Sequence, residues 1–273
     1  MRMISSIRWA FLLALALAMP MLARAQDSVQ LGIQTWTLRN LNFDQVVEFA
    51  VKQGIKNLQL IGNHLNPEAP AEELLKKKAI LEKNGLRAYT FGVAGTSLDK
   101  EKNRKLFEFA KMFGMKLIIV EPGDFKILDN LEELVKEYDI RIAIHNHGIR
   151  STYGNPATVK NLLQHRDSRM GVCLDAGWIT AAGFDAVKVF RDYQGRVFDV
   201  HLKDKEVKPA LAETISIDAH IGKGNANLSG LIEELRKTKW NGVMAIETDS
   251  QQYALNPGEF VTGAVDWFRA HSK

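Results

Sequence analysis

Eight short apolar segments, each followed by an amphipathic stretch, constrain this chain more than any other feature of its sequence. Their length and their content of Val, Ile and Leu are typical of buried strands. The predicted strands are Gln30–Trp36, Lys56–Ile61, Arg87–Gly92, Lys116–Glu121, Arg141–His147, Gly171–Asp175, Val197–Lys203 and Gly242–Glu247.

The stretches between these strands have helical periodicity. Apolar residues recur every three or four positions, and the first three stretches stop at Gly54, Gly85 and Gly114, as helices commonly do. The predicted helices are Phe43–Gln53, Ala71–Asn84, Leu98–Phe113, Leu128–Tyr138, Pro156–His165, Asp185–Tyr193, Leu228–Lys237 and Pro257–His271.

The regular alternation of strand and helix predicts the fold class. Strands that alternate with helices form a parallel sheet, and eight such units in a chain of this length predict an α/β fold, the (β/α)8 TIM barrel. A doubly wound open sheet is the alternative, but no Gly-rich phosphate-binding turn opens any of the predicted helices.

Residues 1–25 have the organisation of a secretory signal peptide. Arg2 and Arg8 give a basic start, an apolar run follows to Met19, and Ala23-Arg24-Ala25 has the small-x-small form of a cleavage site. The run is short for a membrane span, which leaves an uncleaved anchor as the alternative. We therefore predict a secreted or periplasmic protein whose mature chain, residues 26–273, is a single TIM-barrel domain.

The charge of the mature chain argues against a nucleic-acid partner. Because Arg2, Arg8 and Arg24 lie in the leader, the sequence pI of about 9.0 overstates how basic the mature chain is. The sequence contains no basic stripe of the kind that binds phosphate backbones. The single cysteine, Cys173, cannot form an internal disulfide, and its apolar neighbours predict a buried core residue.

Side chains suited to metal binding or acid/base chemistry stand at or near the ends of the last five predicted strands. They are Glu121, His145, His147, Asp175, His201, Lys203 and Glu247. Side chains alternate across a strand, so His145 shares a face with His147, and His201 with Lys203. Active sites of (β/α)8 barrels lie at the carboxyl ends of the strands, and buried charge is costly without a partner. The pattern therefore predicts one site assembled from several strands.

Imidazole and carboxylate groups together favour a divalent metal ion. They can hold the ion and leave positions for substrate oxygens, and the ion then helps a nearby carboxylate to remove a proton beside a carbonyl. Each residue also has a structural alternative. Asp175 could cap a helix, His147 could bond a carbonyl, Glu247 could lie in a surface loop, and Lys203 could form an ion pair. The matching parity of Asp175, His201 and Glu247 favours the functional interpretation.

Four motifs resemble the xylose isomerase-like barrel superfamily, the sugar phosphate isomerase/epimerase and inosose dehydratase type that also includes endonuclease IV. They are Ala143-Ile144-His145-Asn146-His147-Gly148, Cys173-Leu174-Asp175-Ala176-Gly177-Trp178, Asp199-Val200-His201-Leu202-Lys203-Asp204 and His220-Ile221-Gly222-Lys223-Gly224. The resemblance covers nearly the whole mature chain. It implies a divalent metal, often manganese, held by strand-end Glu, Asp, His and Glu. Asp175, His201 and Glu247 match the last three of these ligands.

The chain departs from the family pattern at two positions. The fifth strand offers His145 where the epimerases have a Glu that serves as both ligand and base, which argues against a two-carboxylate epimerase mechanism. Glu121, one strand earlier, is an alternative source of that carboxylate. Trp178 stands where many members have His; it cannot bind metal but can stack on the apolar face of a sugar ring.

These observations predict a metal-dependent sugar isomerase/epimerase-like enzyme that removes a proton next to the carbonyl of a free sugar or keto-sugar derivative. The alternatives are a keto-sugar lyase or hydratase (dehydratase) on the same site and a catalytically inactive carbohydrate-binding barrel. The expected cofactor is a divalent ion (Mn, Zn or Co). The expected partner is a small sugar. We expect no nucleic-acid partner and no membrane association after leader cleavage. The resemblance is also compatible with a homo-oligomer.

The predicted roles divide the residues into three sets. The metal ligands are His145, Asp175, His201 and Glu247. The catalytic residues are Glu121 or Glu247 as general base and Lys203 as the group that stabilises enolate charge. The substrate-binding residues are Trp36, His147, Trp178 and His220. The long connection Asp204–Asn227 is also expected to be functional, because long loops on this face of a barrel usually are.

Overall fold

The computed structural model describes residues 29–193, 195–208 and 215–273; the predicted leader, residues 1–25, lies outside these ranges. The barrel strands are β1 Gln30–Gln34, β2 Asn57–Leu60, β3 Arg87–Ala94, β4 Leu117–Val120, β5 Arg141–His145, β6 Met170–Asp175, β7 Val197–Leu202 and β10 Val243–Ile246. An antiparallel hairpin, β8 Asp204–Lys208 and β9 Ile215–Ala219, lies between the last two. The eight parallel strands close in chain order, with β10 pairing β1, which confirms the predicted TIM barrel.

Helices cover the outside of the barrel. They are α1 Phe43–Gln53, α2 Ala71–Lys83, α3 Lys100–Met112, α4 Ile127–Tyr138, α5 Pro156–Leu163, α6 Ala176–Ala181, α7 Ala186–Asp192, α8 Leu228–Lys237, α9 Gln251–Leu255 and α10 Pro257–His271. None in the described part of the chain is long and apolar enough to cross a membrane.

The structure adds short elements that the sequence pattern does not indicate. These are a 3-10 turn at Thr35–Leu38, the helices α6 and α9, and the β8–β9 hairpin within the predicted long connection. All of them follow strands that deliver predicted site residues. Elements of four to six residues are too short to show a helical period, which is why periodicity located only the longer helices.

Local sequence explains where the helices begin and end, as α1 illustrates. The Asn42 side chain accepts a hydrogen bond from the backbone of Gln45, whose own side chain accepts one from the backbone of Asn42, forming a capping box. At the other end Gly54 adopts φ 68°, a left-handed conformation that glycine reaches without strain. Such ends position the turns that lead into and out of each strand.

Inside the barrel an apolar cluster supports the polar residues at the strand ends. The cluster contains Leu117, Ile119, Ala143 and Cys173. Cys173 is fully buried, as predicted. Strand register places His145 beside Cys173, Asp175 beside His201, and His201 beside Ala245. The small side chain of Ala245 leaves space next to the His201 ring.

The loop after β9 wraps around one buried carboxylate. Asp204 accepts hydrogen bonds from the backbone N–H groups of Lys205 (3.0 Å), Gly222 (3.0 Å), Gly224 (2.9 Å) and Ala226 (3.0 Å). A Cβ atom at Gly224 would lie 2.3 Å from an Asp204 oxygen, so only glycine fits there. The motif His220-Ile221-Gly222-Lys223-Gly224 therefore keeps the loop after the hairpin in contact with Asp204, just after the barrel strand β7.

We expect Asp204→Ala to lower the free energy of unfolding by about 3 kcal/mol, because it leaves several buried N–H donors without an acceptor. Urea denaturation of the purified protein measures this. Glu206→Ala is the matched control on the same strand. It removes a surface ion pair with Lys208 (3.0 Å), which contributes at most about 1 kcal/mol. Equal effects of the two substitutions would contradict this account of the loop.

Candidate metal and active site

Asp175 uses its two carboxylate oxygens for different purposes. Oδ1 accepts a hydrogen bond from the backbone N–H of Trp178 at 2.8 Å and caps α6. Oδ2 is buried and has no hydrogen-bond partner within the described residues. It lies 3.4 Å from Nδ1 of His201 and 3.6 Å from Nε2 of His145. A buried acceptor without a partner is costly, so this oxygen is suited to a cation. Asp175 is both the helix cap and a candidate ligand.

A buried glutamine determines which nitrogen of His201 faces Asp175. The Gln59 amide donates through Nε2 to the carbonyl of Gly92 at 3.1 Å, so its Oε1 accepts from Nε2 of His201 at 2.9 Å. His201 therefore carries its proton on Nε2 and presents the lone pair of Nδ1 to the site. Burial lowers the pKa of His201 to about 4 and keeps the ring neutral. A neutral imidazole oriented through its second nitrogen is the usual form of a metal-binding histidine.

His145, and not Glu121, stands next to Asp175 and His201. Nε2 of His145 is 3.2 Å from Nδ1 of His201, whereas its Nδ1 faces Oε2 of Glu121 at 3.8 Å. Glu121 thus lies behind the ring. Burial opposes a charge on His145, but Asp175 and Glu121 raise its pKa to about 9. Without an ion the ring is cationic, and it must lose a proton to become a ligand.

Glu121 and His147 form a carboxylate–imidazole pair on the wall of the site. Oε2 of Glu121 is 2.6 Å from Nδ1 of His147. Burial disfavours the carboxylate charge, but His145 and His147 outweigh it and lower the pKa of Glu121 to about 2. The His147 side chain is 40% exposed and lines the cleft. The sequence allowed a hydrogen bond between His147 and a carbonyl, but in the structure His147 bonds a carboxylate. A carboxylate bonded to an imidazole in this way can orient the imidazole as a general base.

Lys203 is a buried cation among three carboxylates. Its side chain is 1% exposed, and Nζ donates to Glu247 at 2.5 Å and to Asp249, with Asp175 Oδ2 at 3.7 Å. Burial lowers its pKa, but the carboxylates outweigh this and raise it well above the usual value. The ammonium group therefore stays protonated. Burial also raises the pKa of Glu247, with Lys203 opposing.

These groups open into a cleft of about 360 Å³, a size that suits a small molecule. Trp36, predicted to bind substrate, forms an apolar part of the wall, and the Arg39 guanidinium lies 4.8 Å from its ring centroid. The lining also includes Gln34, Ile61, Gly62, Asn63, Val93, His145, His147, His201, Lys203, Glu247 and Asp249.

Two predicted substrate-binding residues lie elsewhere: within the described part of the chain, neither Trp178 nor His220 lines this cleft. Trp178 packs behind it, with Nζ of Lys205 4.0 Å from its ring centroid and the His147 ring at 5.8 Å. The exposed ring of His220 packs 4.8 Å from Tyr253. Trp178 therefore supports the site from behind.

Sequence reasoning did not identify two residues that shape the site. Gln59 is fully buried on β2. The sequence feature that could have identified it is that it is the one polar residue in the apolar segment Leu58-Gln59-Leu60. Asp249 bonds Lys203. Its signal was the parity it shares with Glu247, two residues earlier.

The donor set fits a divalent cation. Asp175, His201 and Glu247 each offer an atom within 4.8 Å of the others, and His145 joins His201 in an overlapping set. Oδ2 of Asp175 has no hydrogen-bond partner within the described residues, and the lone pair of His201 Nδ1 faces Nε2 of His145 at 3.2 Å, where an ion would replace the proton between the two rings. Mixed nitrogen and oxygen donors suit zinc, manganese or cobalt.

A sequence relative and the family model agree with the fold. The model described as "Xylose isomerase-like TIM barrel" matches residues 45–271. An inosose dehydratase of Clostridium perfringens (strain 13 / Type A) is 24% identical over 289 residues, covering 87% of this chain and 96% of that protein.

Solved structures are similar over the same extent. The IOLI protein, solved with a bound zinc atom, has a TM-score of 0.74 at 16% identity, covering 89% of this chain and 98% of that one. The probable 3-DHS dehydratase AsbF of Bacillus anthracis has a TM-score of 0.71 at 16% identity, covering 88% and 99%. At these identities the structures establish the shared fold. Because the family model spans most of the chain, this protein belongs to the xylose isomerase-like TIM barrel family.

Proposed function

We propose that this protein is a metal-dependent enzyme that removes a proton next to the carbonyl of a sugar or cyclitol ketone and eliminates the neighbouring hydroxyl as water. One observation carries the proposal: His147, which bonds Glu121, lines the same cleft as His201 and Glu247, and these two form a donor set with Asp175. The similarity to inosose dehydratases supports elimination over the other outcomes of proton removal.

His145, Asp175, His201 and Glu247 are the proposed metal ligands. A divalent ion bound there would polarise the substrate carbonyl and acidify the adjacent C–H bond. His145 takes the place of the strand-end Glu expected from the family resemblance, with the carboxylate of Glu121 behind it, 3.8 Å from Nδ1.

His147 is the proposed proton acceptor. Glu121, ionised and bonded to Nδ1, orients the ring and stabilises the imidazolium that forms. Glu121 thus has an orienting role where the sequence suggested a general base. Lys203, held by Glu247 and Asp249, stabilises the negative charge that develops on the enolate oxygen.

The fate of the abstracted proton distinguishes two reactions. If His147 returns it to the hydroxyl on the neighbouring carbon, the C–O bond breaks, water leaves and a double bond forms. If His147 delivers it instead to the former carbonyl carbon, while the proton of the hydroxyl on the carbon that lost its hydrogen passes to the former carbonyl oxygen, the product is an isomer. Isomerisation is therefore the second candidate, because it needs the same base on the same face of the substrate.

Metal binding tests the donor set. We expect the protein, reconstituted with Mn, Zn or Co, to bind about one ion per chain, and His201→Ala to abolish binding because it removes a central donor. His220→Ala is the matched control.

Gln59→Leu should weaken metal binding about 10- to 100-fold, because the His201 ring loses the partner that orients it. Thr90→Val, at another buried polar residue, is its control. Chelator competition and elemental analysis measure both. A protein that binds no ion after reconstitution would favour the inactive carbohydrate-binding barrel.

Reaction assays test the proposed base. A panel of keto-sugars and inososes in deuterium oxide should show deuterium at the carbon next to the carbonyl and a product lighter by one water. His147→Gln should lower kcat at least about 100-fold, since it removes the proton acceptor, while metal affinity stays near the wild-type value. His165→Gln, at an exposed histidine outside the cleft, is the control. Isomer without loss of water would select the second candidate, and the absence of both exchange and a dehydrated or isomerised product on every substrate would refute proton abstraction.

We also propose export from the cytoplasm, supported by the leader-like organisation of residues 1–25. Expression of the full chain in a bacterium with separable periplasm should yield a product that begins at Gln26, because cleavage follows the small-x-small motif. Mass spectrometry of the periplasmic and cytoplasmic fractions measures this. An intact leader on the cell-associated protein would favour the uncleaved anchor.

A further inference from the structure

A second, larger cavity adjoins the catalytic cleft. It is a groove of about 890 Å³ between α2 and α3, compared with about 360 Å³ for the cleft. Gly62 and Val93 line both. The two spaces therefore share a boundary at these two residues.

The groove has an apolar floor and a charged rim. Its floor is formed by Leu74, Phe91, Leu106 and Phe109, with the rings of Phe91 and Phe109 packed edge to face at 5.2 Å. Charged side chains from the β2–α2 loop and from α3 stand around it: Glu68, Lys102, Lys105 and Glu108. A flat apolar ring with polar substituents at its edge would match both features.

The boundary between the two spaces carries little bulk. Gly62 has no side chain, and no atom lies within 4 Å of the position its Cβ would take. Val93 is short and 38% exposed. Within the described residues, one hydrogen bond connects α2 and α3 across the groove. Nζ of Lys78 on α2 donates to the carbonyl of Met112 on α3 at 3.0 Å.

We infer that the groove binds an aromatic aglycone attached to the reacting keto-sugar, so that the substrate is an aryl glycoside whose sugar ring carries a ketone. The inference rests on the proposed function, because the reacting ring must occupy the cleft. The reacting ring would occupy the cleft, and its substituent would enter the groove. The side chains of the groove floor, Leu74, Phe91, Leu106 and Phe109, offer no hydrogen bond to a sugar hydroxyl directed at them. Burial of an apolar aryl group there is favourable in proportion to its area.

Binding to the metal-reconstituted full chain tests this inference without turnover. Isothermal titration compares 4-nitrophenyl glycosides, methyl glycosides and disaccharides across the common hexoses, which lack the ring ketone and therefore bind as non-reacting analogues. At least one 4-nitrophenyl glycoside should bind about tenfold or more tightly than both its methyl and its disaccharide counterparts. If no aryl glycoside in the panel is preferred, or if a disaccharide binds best, the inference is overturned.

A substitution in the groove locates the effect. Ala71, exposed in the first turn of α2, lines the groove and not the cleft. Ala71→Trp should fill the groove and abolish the aryl preference. Ala157→Trp, at an exposed alanine in the first turn of α5, should preserve it. An aryl preference that survives Ala71→Trp would refute the assignment. An aryl preference without turnover of any ketone would refute the proposed reaction and leave the groove assignment intact.

Discussion

The site depends on the buried cluster in which Lys203 offsets the charge of Asp175, Glu247 and Asp249. Strand register and short loops force these groups together at the ends of β6, β7 and β10, and a buried ion without a partner costs several kcal/mol. The ammonium group contacts all three carboxylates. The His145 ring, cationic without an ion, adds a second positive charge 3.6 Å from Oδ2 of Asp175, so a divalent cation bound there would take the place of the proton that His145 must release.

Several residues in the site serve the scaffold with one atom and the chemistry with another. Asp175 caps α6 with Oδ1 and leaves Oδ2 for a ligand. His201 is held by Gln59 through Nε2, and its Nδ1 is thereby turned to the site. Side chains that are already oriented lose little conformational entropy when an ion or a substrate binds. The donor set is in this sense pre-organised by the fold.

The exchange of a carboxylate for an imidazole on β5 changes the expected chemistry. His145 stands beside Asp175 and His201, and the carboxylate of Glu121 lies behind it, where it bonds His147. In the proposed mechanism the base is then an imidazole oriented by a carboxylate instead of a carboxylate bound to metal. An imidazole that both takes and returns a proton on one face suits elimination or isomerisation, since neither requires an acid on the opposite face.

Local patterns were sufficient for the barrel and for the residues at its mouth. Alternation of strand and helix, and the parity of Asp175, His201 and Glu247, depend on neighbouring positions, and side-chain direction along a strand follows from backbone geometry. The orientation of each side chain was decided only by the tertiary structure. Gln59 lies 142 residues from His201, and Lys203 lies 44 from Glu247, so no local pattern could show that they pair. The positions of Trp178 and His220 off the cleft have the same origin: packing between distant elements determines where a strand-end residue finally points.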